Sequence, residues 1–217
     1  MVRIRVFIPH LELKEIFEDV VAGLPQYDNV QIETVYIFGT PDVLFKECDA
    51  EILVARGMTH DVLRERFPQK HVVQIQFNSF DIFEALVACR ELGAKKIALF
   101  LHNVEIRCLE NLEELCGATL CMYDAPDEKS VEAAVSQAVE NGADAFVGAG
   151  TMCGICDRKG LRRVHIYTKH DAVEAAMQEA LNAARTINLE RTRSDIINIM
   201  LNHNEDGIIA IDEKAQI

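Results

Sequence analysis

The sequence predicts an α/β fold with parallel sheets arranged in two lobes. Short β-branched runs alternate with amphipathic helical stretches in roughly eight successive units, the pattern of a parallel sheet. Length narrows the choice: a TIM barrel uses about 250 residues, and 217 is short for one. Two sheets of about four strands, divided near residue 77, fit better. No low-complexity segment or short repeat interrupts the pattern.

The elements follow in order. Residues 3–9 read as a strand, and a helix from about residue 11 carries Leu13, Ile16, Phe17, Val20, Val21 and Leu24 at helical spacing. A strand over 30–36, a short helix over 41–48 and a strand over 51–55 come next. A helix over 61–67 stops before Pro68, and a fourth strand spans 72–76. Ser79 or Asp81 is the expected cap of the helix that runs to about residue 92.

A second cycle opens at Ala94 with a strand over 96–101 and a helix over 105–116 that ends at Gly117. Residues 119–123 form a strand, and the helix over 129–141 puts Val131, Val135 and Ala138 on one face. A strand over 145–148 leads into a loop and short helix over 150–159, and the last strand spans 164–167. The helix over 171–186 turns Val173, Ala176, Met177, Ala180, Leu181 and Ala184 inward. A separate charged helix begins at Asn188, with apolar positions at Leu189, Ile196, Ile197, Met200 and Leu201. Residues 206–212 then start another strand without a partner, which implies that the protein continues past residue 217.

Composition excludes several function classes. The net charge is −13, from 35 acidic and 22 basic residues, and no Lys/Arg run occurs, so direct contact with nucleic acid is not expected. No apolar run of about 18 residues exists, so no membrane span is expected. The first strand lacks a signal-peptide cleavage pattern, and seven cysteines without one point to the reducing cytoplasm.

The candidate site lies at the strand ends, because ligands of open α/β sheets bind at the carboxyl ends of the strands. Arg56 and Gly57 end one strand: a guanidinium beside a residue that lets backbone approach suits a carboxylate. The other reading of Arg56 is a surface ion pair. Asn78 and Ser79 precede a helix whose first N–H groups can receive an anion, or they serve only as caps. Asp81 is expected to cap, since its charge would repel an anion. His102 and Asn103 end the strand that opens the second lobe, and His10 follows the first strand; neither histidine has an acid–base partner visible in sequence. Gly148, Gly150 and Thr151 lie between a strand and a helix, where the glycines serve tight packing or an anion site. The spacing is not Gly-x-Gly-x-x-Gly, so no nucleotide cofactor is expected. Cys153 and Cys156 form a Cys-x-x-Cys pair at a helix start, which permits redox chemistry. A zinc site would need two more ligands, and no second Cys-x-x-Cys occurs in the sequence.

Taken together, Ala55-Arg56-Gly57-Met58-Thr59, Asn78-Ser79-Phe80-Asp81, Val147-Gly148-Ala149-Gly150 and Val164-His165-Ile166-Tyr167 resemble the amino-terminal sensory domain of the propionate-catabolism regulators, sigma-54-dependent transcriptional activators. The resemblance spans residues 1–187. It implies two Rossmann-like lobes with a ligand cleft between them, and 2-methylcitrate is the effector of the best-known member. Residues 206–212 are similar to the first strand of a PAS domain, and ATPase and DNA-binding modules are expected downstream. No Gly-x-x-x-x-Gly-Lys-Ser/Thr loop is present, so ATP hydrolysis is not assigned to this chain.

The expected organisation is a first lobe of residues 1–76 plus 169–187, a second lobe of 77–168, a connector helix over 188–205 and the start of a PAS-like domain over 206–217. The expected function is non-enzymatic: a small organic acid binds between the lobes, and its presence is signalled through the C-terminal helix. A homodimer is expected by resemblance. One arginine fits one carboxylate, so a tricarboxylate would lack cationic partners here. The alternatives are a two-lobed racemase or isomerase, which needs activated thiols across the cleft, and a Cys153/Cys156 redox sensor.

Overall fold

The computed structural model describes residues 1–9, 11–25, 27, 29–37, 48–102, 104, 106 and 109–202. His10, Asn103, residues 41–47 of the expected short helix and the PAS-like residues 206–217 lie outside the described residues.

Two four-stranded, all-parallel sheets form the core of two lobes. The first contains β1 (Val2–Ile8), β2 (Val30–Tyr36), β3 (Ile52–Arg56) and β4 (His71–Ile75) in the order β2-β1-β3-β4. The second contains β5 (Lys96–Phe100), β6 (Thr119–Tyr123), β7 (Ala145–Gly148) and β8 (Arg163–His165) in the order β6-β5-β7-β8. Each order reverses direction at one point, between β1 and β3 and between β5 and β7. Such a switch opens a crevice at the strand ends, because the connections on either side lead away from it.

The central strands are apolar because both their faces are covered. Val2, Ile4, Val6 and Ile8 pack against α1 (Leu11–Gly23) and α7 (His170–Asn202), while Phe7 turns to the other face with Leu53, Ala55 and Leu63. Leu63 belongs to α2 (Gly57–Arg66). In the second lobe, α3 (Ser79–Glu91) and α4 (Leu109–Cys116) cover one face, and α5 (Glu128–Glu140) and α6 (Gly150–Lys159) the other.

The chain crosses between the lobes twice. It leaves β4 through Gln76 and Phe77 to reach α3, and it leaves β8 through Ile166–Lys169 to enter α7. That last helix returns to the first sheet, where Val173, Met177 and Leu181 are fully buried against β1, β3 and β4. Burial of such side chains contributes on the order of 2 kcal/mol each.

Several elements differ from the sequence expectation: α2 begins at Gly57 and not at 61, β8 ends at His165 and not at 167, and two further differences have a clear cause. The helix and connector separated at residue 188 form one 33-residue helix, because no Gly or Pro between His170 and Asn202 breaks the hydrogen-bond ladder. The N-cap of α3 is Asn78, and the expected capper Asp81 acts as its reciprocal partner, while no capping bond of Ser79 is seen among the described contacts. Asn78 Oδ1 accepts the Asp81 N–H at 2.8 Å while Asp81 Oδ2 accepts the Asn78 N–H at 2.9 Å, a reciprocal capping box.

Candidate functional site

Helix α2 begins without any intervening loop: β3 ends at Arg56 and the helix starts at Gly57. So abrupt a turn needs a left-handed residue, and Gly57 has φ +52°. Arg56 is the N-cap and makes no side-chain capping bond. Helix α6 follows β7 after a single residue, Ala149, an N-cap whose side chain cannot cap. By contrast α3 and α5 are capped by Asn78 and Asp127. Among the four helix starts whose caps are described, the two without a side-chain cap belong to different lobes, and both border one cavity.

That cavity encloses about 100 Å³ between the lobes. The first lobe contributes Arg56, Gly57, Met58, Gln74 and Gln76; the second contributes Phe100, His102, Tyr123, Ala149, Thr151 and Met152. Phe77, on the first crossing segment, also lines it. Both switch points thus open onto the same space.

The guanidinium of Arg56 sits at the junction of the two crossing segments. Its Cζ lies 4.1 Å from the Phe77 ring centroid, and its Nη2 donates to the Ile166 carbonyl at 3.3 Å. Among the described residues no carboxylate forms an ion pair with it. Burial pulls its pKa down to about 10, partly offset by the charge of Asp81, so it stays a cation at neutral pH. A desolvated guanidinium with donors to spare, flanked by helix N-termini, is suited to hold an anion.

His102 spans the cleft. Its Nε2 lies 2.9 Å from Asp61 Oδ2 on α2, and its Nδ1 lies 2.6 Å from Asp124 Oδ1, just past β6. Asp61 is also 3.0 Å from His60 Nδ1. The partners that sequence reading missed thus arrive from two other strand ends. Asp124 follows a strand directly and was findable by the same rule that picked Arg56; Asp61 lies one helical turn along and was not.

Arg56, Gly57, His102 and Thr151 come together around the cavity; the other described candidates do not line it. Asn78 and Ser79 border a separate, more open depression with Asp171 and Glu179. The Asn78 amide is occupied at both ends, capping α3 and donating to Asp171. Gly148 is a packing residue: a Cβ there would meet the Phe100 Cβ at 3.0 Å and the Met152 Cε at 3.1 Å. Gly150 opens α6 beside the cavity, with open space where a Cβ would be. His10 and Asn103 fall outside the described residues.

The cysteine pair is interior. Cys153 and Cys156 are buried on α6, where burial pushes both thiols up to about 11. Their sulfurs face the Gly148 carbonyl and the Met152 thioether. A thiol so protonated is a poor nucleophile or redox group. No cysteine is among the described residues lining the cavity, and no described cluster of three His, Cys, Asp or Glu could hold a metal.

Residues 11–190 match a protein family described as propionate catabolism activator. Among solved structures, an NtrC family transcriptional regulator from Clostridium acetobutylicum superposes with a TM-score of 0.71 at 17% identity, over 85% of this chain and 97% of that one. A conserved domain protein from Vibrio cholerae gives 0.48 at 13% identity over 86% and 85% of the two chains. An aspartate racemase homologue from Pyrococcus horikoshii gives 0.30 at 11% identity over 85% and 100%. No curated protein matches the sequence. No described helix is long and apolar enough to cross a membrane. The first structure shares the two-lobed fold, and the family match covers most of the chain: this protein belongs to the propionate catabolism activator family and is a regulatory domain.

Proposed function

We propose that this domain senses a small organic acid, which binds between the lobes with a carboxylate on Arg56, and that it signals through α7. The observation that carries this reading is the position of Arg56. It lines the cavity, lacks an ion-pair partner among the described residues, and touches both crossing segments at Phe77 and Ile166. An anion that draws on the guanidinium therefore acts on the two segments about which the lobes turn. Ile166 lies four residues before α7 begins, so a change there is passed directly to that helix. The acid must bind the closed arrangement more tightly than the open one for occupancy to shift the population.

Beyond the lobes, α7 carries Leu189, Ile196, Ile197 and Met200 exposed, a surface suited to its own copy in a dimer. Family membership supports downstream PAS-like, ATPase and DNA-binding modules and a cytoplasmic setting. The reading is of a sensor; Cys153 and Cys156, buried away from the cavity, do not supply the thiols that a racemase of this shape would need.

Calorimetry on the wild-type chain and on Arg56→Ala tests the site: binding of small acids is expected in the first and not in the second. Small-angle scattering tests closure, with a smaller radius of gyration expected on saturation. An unchanged radius with acid bound would remove the closure step.

A further inference from the structure

We propose that the outer edge of β4 is a docking site for an extended peptide in which acidic and basic residues alternate. The site lies outside the cavity and does not depend on the anion reading.

β4 is an edge strand. It pairs with β3 on one side, and among the described residues no strand pairs with its other side. Such an edge presents a row of unpaired N–H and C=O groups, on which one more strand can be laid. Edges are commonly blunted by a charged residue, a proline or a bulge. His71-Val72-Val73-Gln74-Ile75 contains no Asp, Glu, Lys, Arg or Pro, and its register with β3 is unbroken.

A depression of about 700 Å³ straddles this edge. Val72 packs with Leu63 on the α2 face of the sheet, whereas Val73 and Ile75 pack with α7 on the opposite face. The depression is bordered by Val72, Gln74 and Gln76 and also by α7, so it wraps around the strand edge instead of lying on one face. Along α7 it runs from Asp171 to Glu179. At 1.5 Å per helical residue that is about 12 Å, the length of roughly four residues of extended chain.

The two walls carry opposite charge. Arg64 stands on the α2 wall, and Asp171 and Glu179 stand on the α7 wall. Successive side chains of a strand point to opposite faces. A strand added to β4 therefore sends every second side chain toward Arg64 and the others toward Asp171 and Glu179. Acidic residues match the first wall and basic residues the second. Asp171 already accepts from Asn78, and Glu179 lies 3.5 Å from His71 Nε2, but a carboxylate has further lone pairs for a cation. Between these two carboxylates Ala172, Ala175 and Ala176 present only small side chains, which lets a main chain come close. A second copy of β4 brings no charges to match these walls, so the occupant is a peptide of another sequence. Seated there, it lies along the first turns of α7, the helix through which signalling is proposed.

The test is calorimetry on the 217-residue chain with end-blocked peptides. Lys-Glu-Lys-Glu-Lys-Glu is expected to bind about tenfold more tightly than its block isomer Lys-Lys-Lys-Glu-Glu-Glu, which has the same composition and net charge. Two further versions of the alternating peptide carry N-methyl groups, one on every Lys and one on every Glu. Strand addition predicts that one of these loses at least tenfold and the other does not, because only alternate N–H groups face β4. Arg64→Glu and Glu179→Lys, both on the exposed rim and checked for native circular dichroism, are each expected to weaken the alternating peptide about fivefold. Equal binding of the block isomer, or unchanged binding by both variants, overturns the charged walls. Equal binding of both methylated peptides overturns strand addition. No peptide bound at about 1 mM overturns the site itself. A wild-type dimer in sedimentation that Arg64→Glu dissociates would make a second copy the occupant and also overturns the proposal. The peptide series is read on wild-type protein, so it decides the matter even if a variant does not fold.

Discussion

Replacing Arg56 by methionine separates a binding arginine from a structural one. The fall of its pKa from 12.5 to about 10 corresponds to roughly 3 kcal/mol of cost for holding the charge out of water, at ~1.4 kcal/mol per pKa unit. Against this stand the contact with the Phe77 ring, on the order of 1 kcal/mol, and the charged hydrogen bond to Ile166, on the order of 1.5 kcal/mol. The two sides nearly cancel, and methionine keeps most of the apolar stem. Arg56→Met is therefore expected to unfold in urea with a free energy within about 1 kcal/mol of wild type when no ligand is present. With a small acid at a hundred times its dissociation constant, wild type alone should gain about 2.7 kcal/mol. A loss above about 2 kcal/mol in the unliganded variant would refute the reasoning. It would mean that the arginine holds the lobes together and is not waiting for a partner.

Four further outcomes are expected. Gly57→Ala should cost about 1–2 kcal/mol in urea unfolding from backbone strain alone, since φ is +52° and no atom lies within 4 Å of the new Cβ. Gly148→Ala should cost about 1–3 kcal/mol by the opposite cause, a clash with Phe100 and Met152, and thermal unfolding should show it. His102→Gln should loosen the link between Asp61 and Asp124, read as a larger unliganded radius of gyration in scattering. The last concerns Glu51, where burial raises the carboxyl but hydrogen bonds from the Arg191 side chain and the Arg3 amide outweigh it and hold it below 4.5. A carboxyl depressed in the folded state stabilises above its unfolded value, and that stability is lost as pH falls through the folded one. Glu51→Gln should thus lower stability at pH 7 and flatten the decline below about pH 4.5 in denaturant titrations.

Strand–helix alternation was legible because apolar runs and helical spacing are local properties. Arg56 and Gly57 were legible as the residues at a strand end, where ligands of open α/β sheets bind; that the helix follows with no loop was not, since it was expected only from residue 61. The neighbouring candidates show the limit of that rule. Asn78 and Ser79 also follow a strand whose end, Gln74 to Phe77, reaches the cavity, but the chain has turned into α3 by then and Asn78 is taken up by its cap and by Asp171. A position near the carboxyl end is not enough when the side chain's partner is unknown, and that partner is non-local. The long helix was missed at residue 188 because a change from apolar to charged composition looked like a boundary. Backbone hydrogen bonding takes no account of that change.

The amino-acid order by itself determined the alternation of strands and helices and the approximate place of most elements, since each follows from neighbours along the chain. Folding determined which strand ends meet: Arg56 against Phe77 and Ile166, and His102 between Asp61 and Asp124. Those pairs are separated by 21, 110, 41 and 22 positions in sequence. No short-range pattern encodes such meetings; they arise when two parallel sheets of the same strand order turn their switch points toward each other.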